Sequence, residues 1–401
     1  MALAGAAVVI LLLAGFLALG GSDSGVDGAS RSTTTSAAGG DGDGGDGGSE
    51  TAARSGDTAG SSPEGTGPGA TGPAGATSTT GSGPGGPAGS VGVLAFAGDR
   101  PQAAGVFSVR GDGTAETRLA RAPGQYFTPT WSPDGARLAF VSRRAGNTDI
   151  FVVGADGTDE RRLTTNPGDD GAPAWSPDGN RLALVSERDD NADLYVVGAD
   201  GAGERRLTTD AGEDLDPAWS PDGTRVAFAS RREGKTDIFV VGADGAGERR
   251  LTTDPGDDVD PNWSPDGARI AFSSRRAGNS DIFVVGADGK GERRLTTDAG
   301  EDFDPAWSPD GTRIAFVGGR DRNRDLYVTD VAAGARSEQR ITSSVGEESS
   351  PVWADDGRRL AFVSDRDGNR ELYLVELGPN AERRLTNHPA ADYDPAWRPG
   401  A

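Results

Sequence analysis

Apolar and polar residues alternate in short segments between residues 91 and 401, with the two-residue period of a β-strand. Segments such as "RLAFVS" and "DIFVVGA" are rich in β-branched and aromatic residues, and turns containing Gly or Pro separate them. No segment shows the i, i+3, i+4 spacing of an amphipathic helix. The pattern therefore predicts an all-β fold and disfavours a helical solenoid.

The alternation is itself repeated along the chain. Five of the six intervals between successive tryptophans are 44 residues long, and the sixth is 46. Each period contains a short run ending in Trp, an "SPDG"-like turn, two alternating strands and a more polar fourth strand such as "ERRLTT". Four short antiparallel strands in a repeat of this length predict a propeller blade. The tryptophans are Trp131, Trp175, Trp219, Trp263, Trp307, Trp353 and Trp397.

The number of strands fixes the number of blades. Six complete units begin at the first six tryptophans, and residues 91–120 match the second, third and fourth strands of a further unit. The C-terminal "DYDPAWRPGA" matches a first strand alone. We therefore predict a seven-bladed β-propeller with four antiparallel strands per blade, in which the C-terminal strand completes the first blade and closes the ring.

The repeat also resembles a known family. "DPAWSPDGTRIAF", "DIFVV" and "RRLT" are similar to the TolB-like, or WD-like, β-propeller repeat of TolB and of the tricorn and prolyl-oligopeptidase propellers. W-S-P-D-G is intact five times and "WADDG" occurs once. The resemblance covers residues 91–401 and implies a propeller that usually binds other proteins. It does not carry over a TolB-specific partner, because TolB has six blades and an additional α/β domain.

The N-terminal residues have a different composition. Residues 1–20 are uncharged and mostly apolar, which predicts a signal peptide or a membrane anchor helix. Residues 21–90 are mostly Gly, Ser, Thr, Ala, Pro and Asp, which predicts a disordered linker. Both alternatives for the first segment place the 91–401 domain outside the cytoplasm, with membrane contact through that segment only. The absence of cysteine excludes disulfides and thiolate metal sites.

Charge and composition exclude several function classes. The chain has 62 acidic and 40 basic residues and a net charge of −22, which disfavours binding to nucleic acid. His388 is the single histidine and lies in a loop, where we expect a solvated side chain. With no G-x-S-x-G motif, nucleophilic and zinc catalysis are disfavoured, and we predict no catalytic residue. An enzyme that uses only carboxylates stays open.

Acidic residues recur before each repeat tryptophan, in the loops that lead into the inner strands. Such loops emerge on one face of a propeller and converge on its central channel, so they predict an acidic binding face. Five residues before the Trp stand Asp170, Asp214, Asp258, Asp302, Glu348 and Asp392. Three residues before it stand Asp216, Asp260, Asp304 and Asp394. The carboxylates of the second set either cap backbone N–H groups or bind a cation. Because all their ligand atoms would be oxygen, the cation would be Ca²⁺ or Mg²⁺.

Arginines and aromatic residues recur at other positions. Each predicted second strand is followed by an arginine on the same face, which either pairs with the acidic loops as a structural fastener or contributes to the binding face. These are Arg100, Arg144, Arg188, Arg232, Arg276, Arg320 and Arg366. We expect the tryptophans and the third-strand aromatic residues to pack between and within blades. Departures from the repeat mark candidate specificity positions at Tyr126, Phe127, Ser349, Ser350 and Gly318 to Arg324.

Together these patterns predict a non-enzymatic, extracytoplasmic propeller that binds a protein or a cell-envelope polymer and is tethered by a flexible linker. We expect no cofactor other than possible Ca²⁺, at Asp216, Asp260, Asp304 and Asp394. Two alternatives stay open. One is a carboxylate-dependent enzyme that acts on polysaccharide, and the other is a Ca²⁺-dependent, ligand-binding sensor ectodomain.

Overall fold

Seven four-stranded antiparallel sheets form the fold. The computed structural model describes residues 91–144 and 146–400. Each sheet is one blade, and the prediction of a seven-bladed, all-β propeller is confirmed. The strands form where the two-residue alternation is strongest, since one face of each blade packs on the preceding blade and the other face on the next.

The strands are numbered along the chain, and the blades are numbered in the same direction. Blade 1 begins with β1 (Val93–Gly98), β2 (Gly105–Arg110) and β3 (Thr117–Ala120). Blade 2 contains β4 (Gln125–Trp131), β5 (Arg137–Arg143), β6 (Thr148–Gly154) and β7 (Arg161–Arg162). Blade 3 contains β8 (Asp170–Trp175), β9 (Arg181–Arg188), β10 (Asn191–Gly198) and β11 (Arg205–Arg206). Blade 4 contains β12 (Glu213–Trp219), β13 (Arg225–Arg232), β14 (Lys235–Gly242) and β15 (Arg249–Arg250).

The remaining blades follow the same order. Blade 5 contains β16 (Asp258–Trp263), β17 (Arg269–Ser274), β18 (Asp281–Gly286) and β19 (Arg293–Arg294). Blade 6 contains β20 (Glu301–Trp307), β21 (Arg313–Arg320), β22 (Asn323–Asp330) and β23 (Gln339–Arg340), with a 3₁₀ helix, Gly334–Ser337, before β23. Blade 7 contains β24 (Glu348–Trp353), β25 (Arg359–Ser364), β26 (Glu371–Glu376) and β27 (Ala381–Arg384). The last strand is β28 (Asp392–Trp397). The two extra residues of the 46-residue interval are accommodated by the 3₁₀ helix, so the strand count is unchanged.

Strand β28 closes the ring. It pairs antiparallel with β1, so that Gly98 lies opposite Asp392 and Ala95 lies opposite Ala396, and the sheet order is β28-β1-β2-β3. It also packs against β4 of blade 2 and against β24 and β25 of blade 7. The C-terminal strand is therefore the inner strand of blade 1, as the strand count predicted.

The hydrophobic core lies between adjacent blades, and the tryptophans form part of it. Trp219 of blade 4 packs with Leu194 and Val196 of blade 3. Its indole Nε1–H donates a hydrogen bond to the backbone carbonyl of Ala174 in the preceding blade, at 3.0 Å. Five other tryptophans make the equivalent bond at 3.0–3.1 Å: Trp175, Trp263, Trp307, Trp353 and Trp397. Six of the seven tryptophans thus join two blades through apolar contact and one hydrogen bond.

The junction between blades 1 and 2 departs from this pattern. In the other six junctions, the arginine that begins the second strand stacks on the next blade's tryptophan, at 4.8–5.5 Å from the ring centroid. Blade 1 has Val93 at that position. Arg398, directly after β28, instead stacks on Trp131 at 5.3 Å, and its Nε donates to the carbonyl of Gly135 at 2.7 Å. The C-terminal segment therefore supplies the guanidinium that β1 lacks.

The predicted N-terminal segment, residues 1–20, and the predicted linker, residues 21–90, lie outside the described residues. In the part of the chain that the structure describes, no helix is both long enough and apolar enough to cross a bilayer.

Deletion of residues 393–401 should destabilise the whole domain. The deletion removes the inner strand of blade 1, the packing of Trp397 and the Arg398 contact with Trp131, and it leaves the β1 edge unpaired. Loss of one buried aromatic side chain alone costs about 3–5 kcal/mol. We expect the melting temperature to fall by about 10 °C or more.

The matched control is deletion of residues 399–401, which keeps β28 and Arg398. This variant should melt close to the wild type in a circular dichroism scan. Wild-type melting of the longer deletion would contradict closure by β28.

Candidate functional site

The seven inner strands surround the central channel, and all seven share a β-bulge. Each bulge places two inner-strand residues opposite one residue of the second strand. The first bulge residue adopts a left-handed backbone with φ between 44° and 56°, at Thr128, Ala172, Asp216, Asp260, Asp304, Ser350 and Asp394. Aspartate tolerates this conformation better than most residues, which explains locally why it recurs there.

Three of these residues lie on adjacent blades, and we call Asp216, Asp260 and Asp304 the acidic arc. Restricted solvation raises the pKa of Asp216 to about 6, and the charge of Asp304 adds to the shift. Restricted solvation also raises the pKa of Asp260 well above its usual value, with further contributions from Asp304 and Asp216. The three side chains are therefore close enough across blades 4 to 6 to interact electrostatically.

The carboxylates of the inner ring differ in their partners. Asp394 accepts a hydrogen bond from the backbone N–H of Thr128 at 2.9 Å, and Asp304 accepts one from the N–H of Ser350. Asp260 accepts one from the hydroxyl of Ser273 at 3.3 Å. Among the described residues, the carboxylate of Asp216 has neither a hydrogen-bond donor nor an ion-pair partner, and its side chain is exposed. Capping of backbone N–H groups thus accounts for Asp304 and Asp394. Of the four carboxylates, that of Asp216 is the most available to a ligand.

A preformed metal site is not present in this ring. Across residues 91–144 and 146–400, no three His, Cys, Asp or Glu side chains converge as they would have to in order to hold a metal ion. Ca²⁺ prefers six to eight oxygen ligands. The Ca²⁺ site predicted at Asp216, Asp260, Asp304 and Asp394 would therefore require these side chains to move.

The acids five residues before each tryptophan lie inside the blades. All six are 0 % exposed, so they present no carboxylate to a partner, and they do not belong to the binding face predicted for them. Asp258, for example, accepts two hydrogen bonds from Arg276 Nη2, at 2.9 and 3.0 Å. The seventh equivalent position is occupied by Tyr126, which lies below Arg144 at 5.2 Å. The six are Asp170, Asp214, Asp258, Asp302, Glu348 and Asp392.

The arginines at the ends of the second strands connect three groups within each blade. Arg276 stacks on Phe283 at 4.4 Å, pairs with Asp258 and pairs with Glu292 before the fourth strand. All seven arginines stack on the third-strand aromatic ring at 3.8–4.4 Å. The other six are Arg100, Arg144, Arg188, Arg232, Arg320 and Arg366. Their geometry is that of structural fasteners, and they are mostly buried.

A second acidic set was missed by the sequence analysis. A buried acid near the start of each third strand, in blades 2 to 7, pairs at 2.5–2.9 Å with an arginine of the fourth strand. The acids are Asp149, Asp193, Asp237, Asp281, Asp325 and Glu371. The sequence does contain a sign of these acids, because an acidic residue precedes every "IF" or "LY" of the repeat. The alternating pattern of these segments predicted a strand, and the acidic residue at its start was not considered separately.

His388 has a local structural contact. Its Nδ1 accepts a hydrogen bond from the N–H of Ala390 at 3.1 Å. Asp210 and Asp298 occupy the equivalent position in the loops that lead into blades 4 and 6. Their carboxylates accept hydrogen bonds from the backbone N–H groups of Gly212 and Gly300. The histidine is half-buried and stabilises a turn.

Stability should fall as the pH rises from 5 to 8. Burial raises the pKa of Asp214 and Asp392 to about 6 and that of Asp302 and Glu348 to about 7. The folded state therefore binds more protons than the unfolded state between about pH 4 and 7, and this contribution to stability is lost as the pH rises through that window. We expect a melting temperature a few degrees higher at pH 5 than at pH 8.

Two variants, each of which removes one negative charge, distinguish the effect of a raised pKa on stability from the effect of the net charge. Asp214→Asn should reduce the difference in melting temperature. Asp222→Asn should leave it unchanged, because hydrogen bonds from Ser220 and Thr224 lower the pKa of Asp222 to about 2. A wild-type protein that melts higher at pH 8 than at pH 5 would contradict the prediction.

Comparison with known proteins agrees with the fold. The TolB beta propeller domain matches residues 91–212, 165–259, 210–304, 252–338 and 303–401. No curated protein matches the chain. TolB from Acinetobacter baumannii is 18% identical with a TM-score of 0.53, and the match covers 76% of this chain and 82% of that one.

Two enzymes share the architecture. For oligogalacturonate lyase from Vibrio parahaemolyticus the identity is 16% and the TM-score 0.55, over 74% of this chain and 85% of that one. For a puromycin-hydrolyzing peptidase from Mycobacterium tuberculosis the identity is 17% and the TM-score is 0.59, and the match covers 73% of this chain and 53% of that one. At these identities the structural matches show the fold alone. The family match spans the whole described propeller, and the chain belongs to the TolB beta propeller domain family.

Proposed function

We propose that this protein is a non-catalytic binding module that recognises a positively charged segment of a protein partner at its channel. The observation that carries the proposal is the exposed carboxylate of Asp216, which has no partner among the described residues and stands beside Asp260 and Asp304. Family membership supports the proposal, since propellers of this family commonly bind proteins.

The charge distribution favours a cationic ligand. Besides restricted solvation, the charge of Asp304 raises the pKa of both Asp216 and Asp260, so a positive group that enters the arc would be attracted by more than one carboxylate. The net charge of −22 adds a long-range field that attracts positive partners. A Lys or Arg side chain entering the channel would gain from both.

The asymmetry of the inner ring gives the ligand an orientation. Thr128, Ala172 and Ser350 occupy the ring positions of blades 2, 3 and 7, and the fourth ring acid, Asp394 of blade 1, already accepts the backbone N–H of Thr128. A bound segment would place its positive charge toward blades 4 to 6. An almost symmetric propeller thereby acquires one preferred binding direction.

The location of the domain is part of the same proposal. An N-terminal anchor or signal, residues 1–20, would place the propeller outside the cytoplasm, and a flexible 70-residue linker has a typical span of roughly 45 Å. The partner is then a protein of the cell envelope, or an envelope polymer that carries positive groups.

A second candidate function follows from the raised pKa values. A carboxylic acid with a pKa of about 6, such as Asp216, can act as a general acid near neutral pH. One solved relative of similar fold is an oligogalacturonate lyase in complex with manganese. A carboxylate-dependent, polysaccharide-active enzyme is therefore the alternative to the binding module.

Binding of a fluorescent octalysine peptide to the full chain tests the proposal. Asp216→Asn and Asp260→Asn should each weaken binding about fivefold, the value of roughly 1 kcal/mol in affinity. Affinity should also be lower at pH 5 than at pH 8, because Asp216 is largely protonated below its pKa of about 6.

Asp200→Asn is the matched control. It removes the same charge from an exposed turn between β10 and β11, on the face opposite the loops that enter the inner strands, and it should leave the affinity unchanged. If all three substitutions weakened binding equally, the peptide would be responding to the net charge of the protein, and a site at the acidic arc would be contradicted. Turnover of oligogalacturonate that is lost in Asp216→Asn would replace the binding module with the enzyme.

A further inference from the structure

The aspartates at the bulge positions of the inner ring do not all have the same partners. Two of them accept a hydrogen bond from a backbone N–H group of the next blade, and the other two do not. The residue at the bulge of the next blade distinguishes the two pairs. From blade 1 to blade 7 the bulge residues are Asp394, Thr128, Ala172, Asp216, Asp260, Asp304 and Ser350.

The capping aspartates are followed in the next blade by an uncharged residue. The carboxylate of Asp394 in blade 1 accepts the backbone N–H of Thr128 in blade 2 at 2.9 Å. The carboxylate of Asp304 in blade 6 accepts the backbone N–H of Ser350 in blade 7. In both cases the residue that donates the hydrogen bond has a neutral side chain.

The open aspartates are followed in the next blade by another aspartate. Asp216 precedes Asp260, and Asp260 precedes Asp304. Within the described residues, neither the carboxylate of Asp216 nor that of Asp260 accepts a backbone N–H, and Asp260 accepts the hydroxyl of Ser273 instead. The backbone does not explain the difference, because φ is 56° at Asp260, 55° at Asp304 and 54° at Ser350.

Repulsion between carboxylates does explain it. A carboxylate that accepts the N–H of a residue lies close to the side chain of that same residue. If this side chain is a second carboxylate, the two negative charges repel each other at short range, and the repulsion offsets the hydrogen bond. Restricted solvation raises the pKa of Asp260, and the charges of Asp304 and Asp216 raise it further, so the charges of the arc do interact.

We propose that Asp260 is a positioning residue of the channel site: its negative charge keeps the carboxylate of Asp216 from capping the backbone N–H of Asp260, and so leaves it open to a positively charged ligand. Asp304 has the same effect on Asp260, and Ser350 ends the arc because Asp304 caps it. This role rests on the binding function proposed for the channel. It makes the open part of the arc a property of neighbouring blades rather than of single residues.

Asp260→Ser tests the capping, because it gives blade 5 the bulge residue of blade 7. In a crystal structure of this variant, we expect the carboxylate of Asp216 to accept the backbone N–H of position 260. Asp304→Ser is the matched control, since it also removes one charge from the arc but keeps Asp260, so Asp216 should stay uncapped. An uncapped Asp216 in the first variant, or a capped Asp216 in the control, would overturn the proposal.

Binding of the fluorescent octalysine peptide at pH 8 tests the consequence for recognition. Asp216→Asn should weaken binding about fivefold in the wild-type background and in the Asp304→Ser background. In the Asp260→Ser background the same substitution should change the affinity by less than about twofold, because Asp216 is already capped there.

A fivefold loss in both serine backgrounds would show that Asp216 and Asp260 act independently. It would overturn the positioning role and leave the binding function in place. Failure of octalysine to bind the wild-type protein would contradict the binding function itself, and the position of the Asp216 carboxylate in Asp260→Ser would still decide the capping.

Discussion

Backbone pairing between β28 and β1 joins the two ends of the described chain in one sheet, and the rest of the propeller depends on that pairing. A blade cannot bury both of its apolar faces alone, so each of the seven is stable only between two neighbours. The closing junction is also chemically distinct. The indole N–H of Trp131 has no hydrogen-bond partner among the described residues, and Arg398 provides the stacking contact that Val93 cannot.

Buried charge is the second organising feature. Most blades contain one acid on the inner strand and one on the third strand, each close to an arginine, and burial raises the pKa of most of these carboxyl groups. Buried pairs cost desolvation, and breaking one is more harmful than never having it. The networks therefore hold the strands of each blade to one another. The acidic arc, which is not absorbed into such networks, remains for recognition.

Much of the fold followed from the sequence because the 44-residue period, the alternation and the turns all indicate the same blade. The site was harder to predict. The acids before each tryptophan form one linear motif, yet the bulge turns Asp216 into the channel while Asp214, two residues earlier, is 0 % exposed. A two-residue period cannot show a bulge, and it gives no sign that Arg398 replaces a missing arginine at Val93. The strand count predicted that β28 pairs with β1, but it could not show which side chains of the two ends contact each other.

The acidic arc is carried by blades that keep their places only in a closed ring. The chain has no cysteine, so closure can be measured by introducing two. Ala95→Cys with Ala396→Cys places thiols on residues that lie opposite each other in β1 and β28. Ala95→Cys with Ala306→Cys is the control, with the second thiol at the equivalent position of blade 6. We predict a rapid intramolecular disulfide that raises the melting temperature in the first variant only; equal cross-linking in both, or none in the first, would contradict closure by the C-terminal strand.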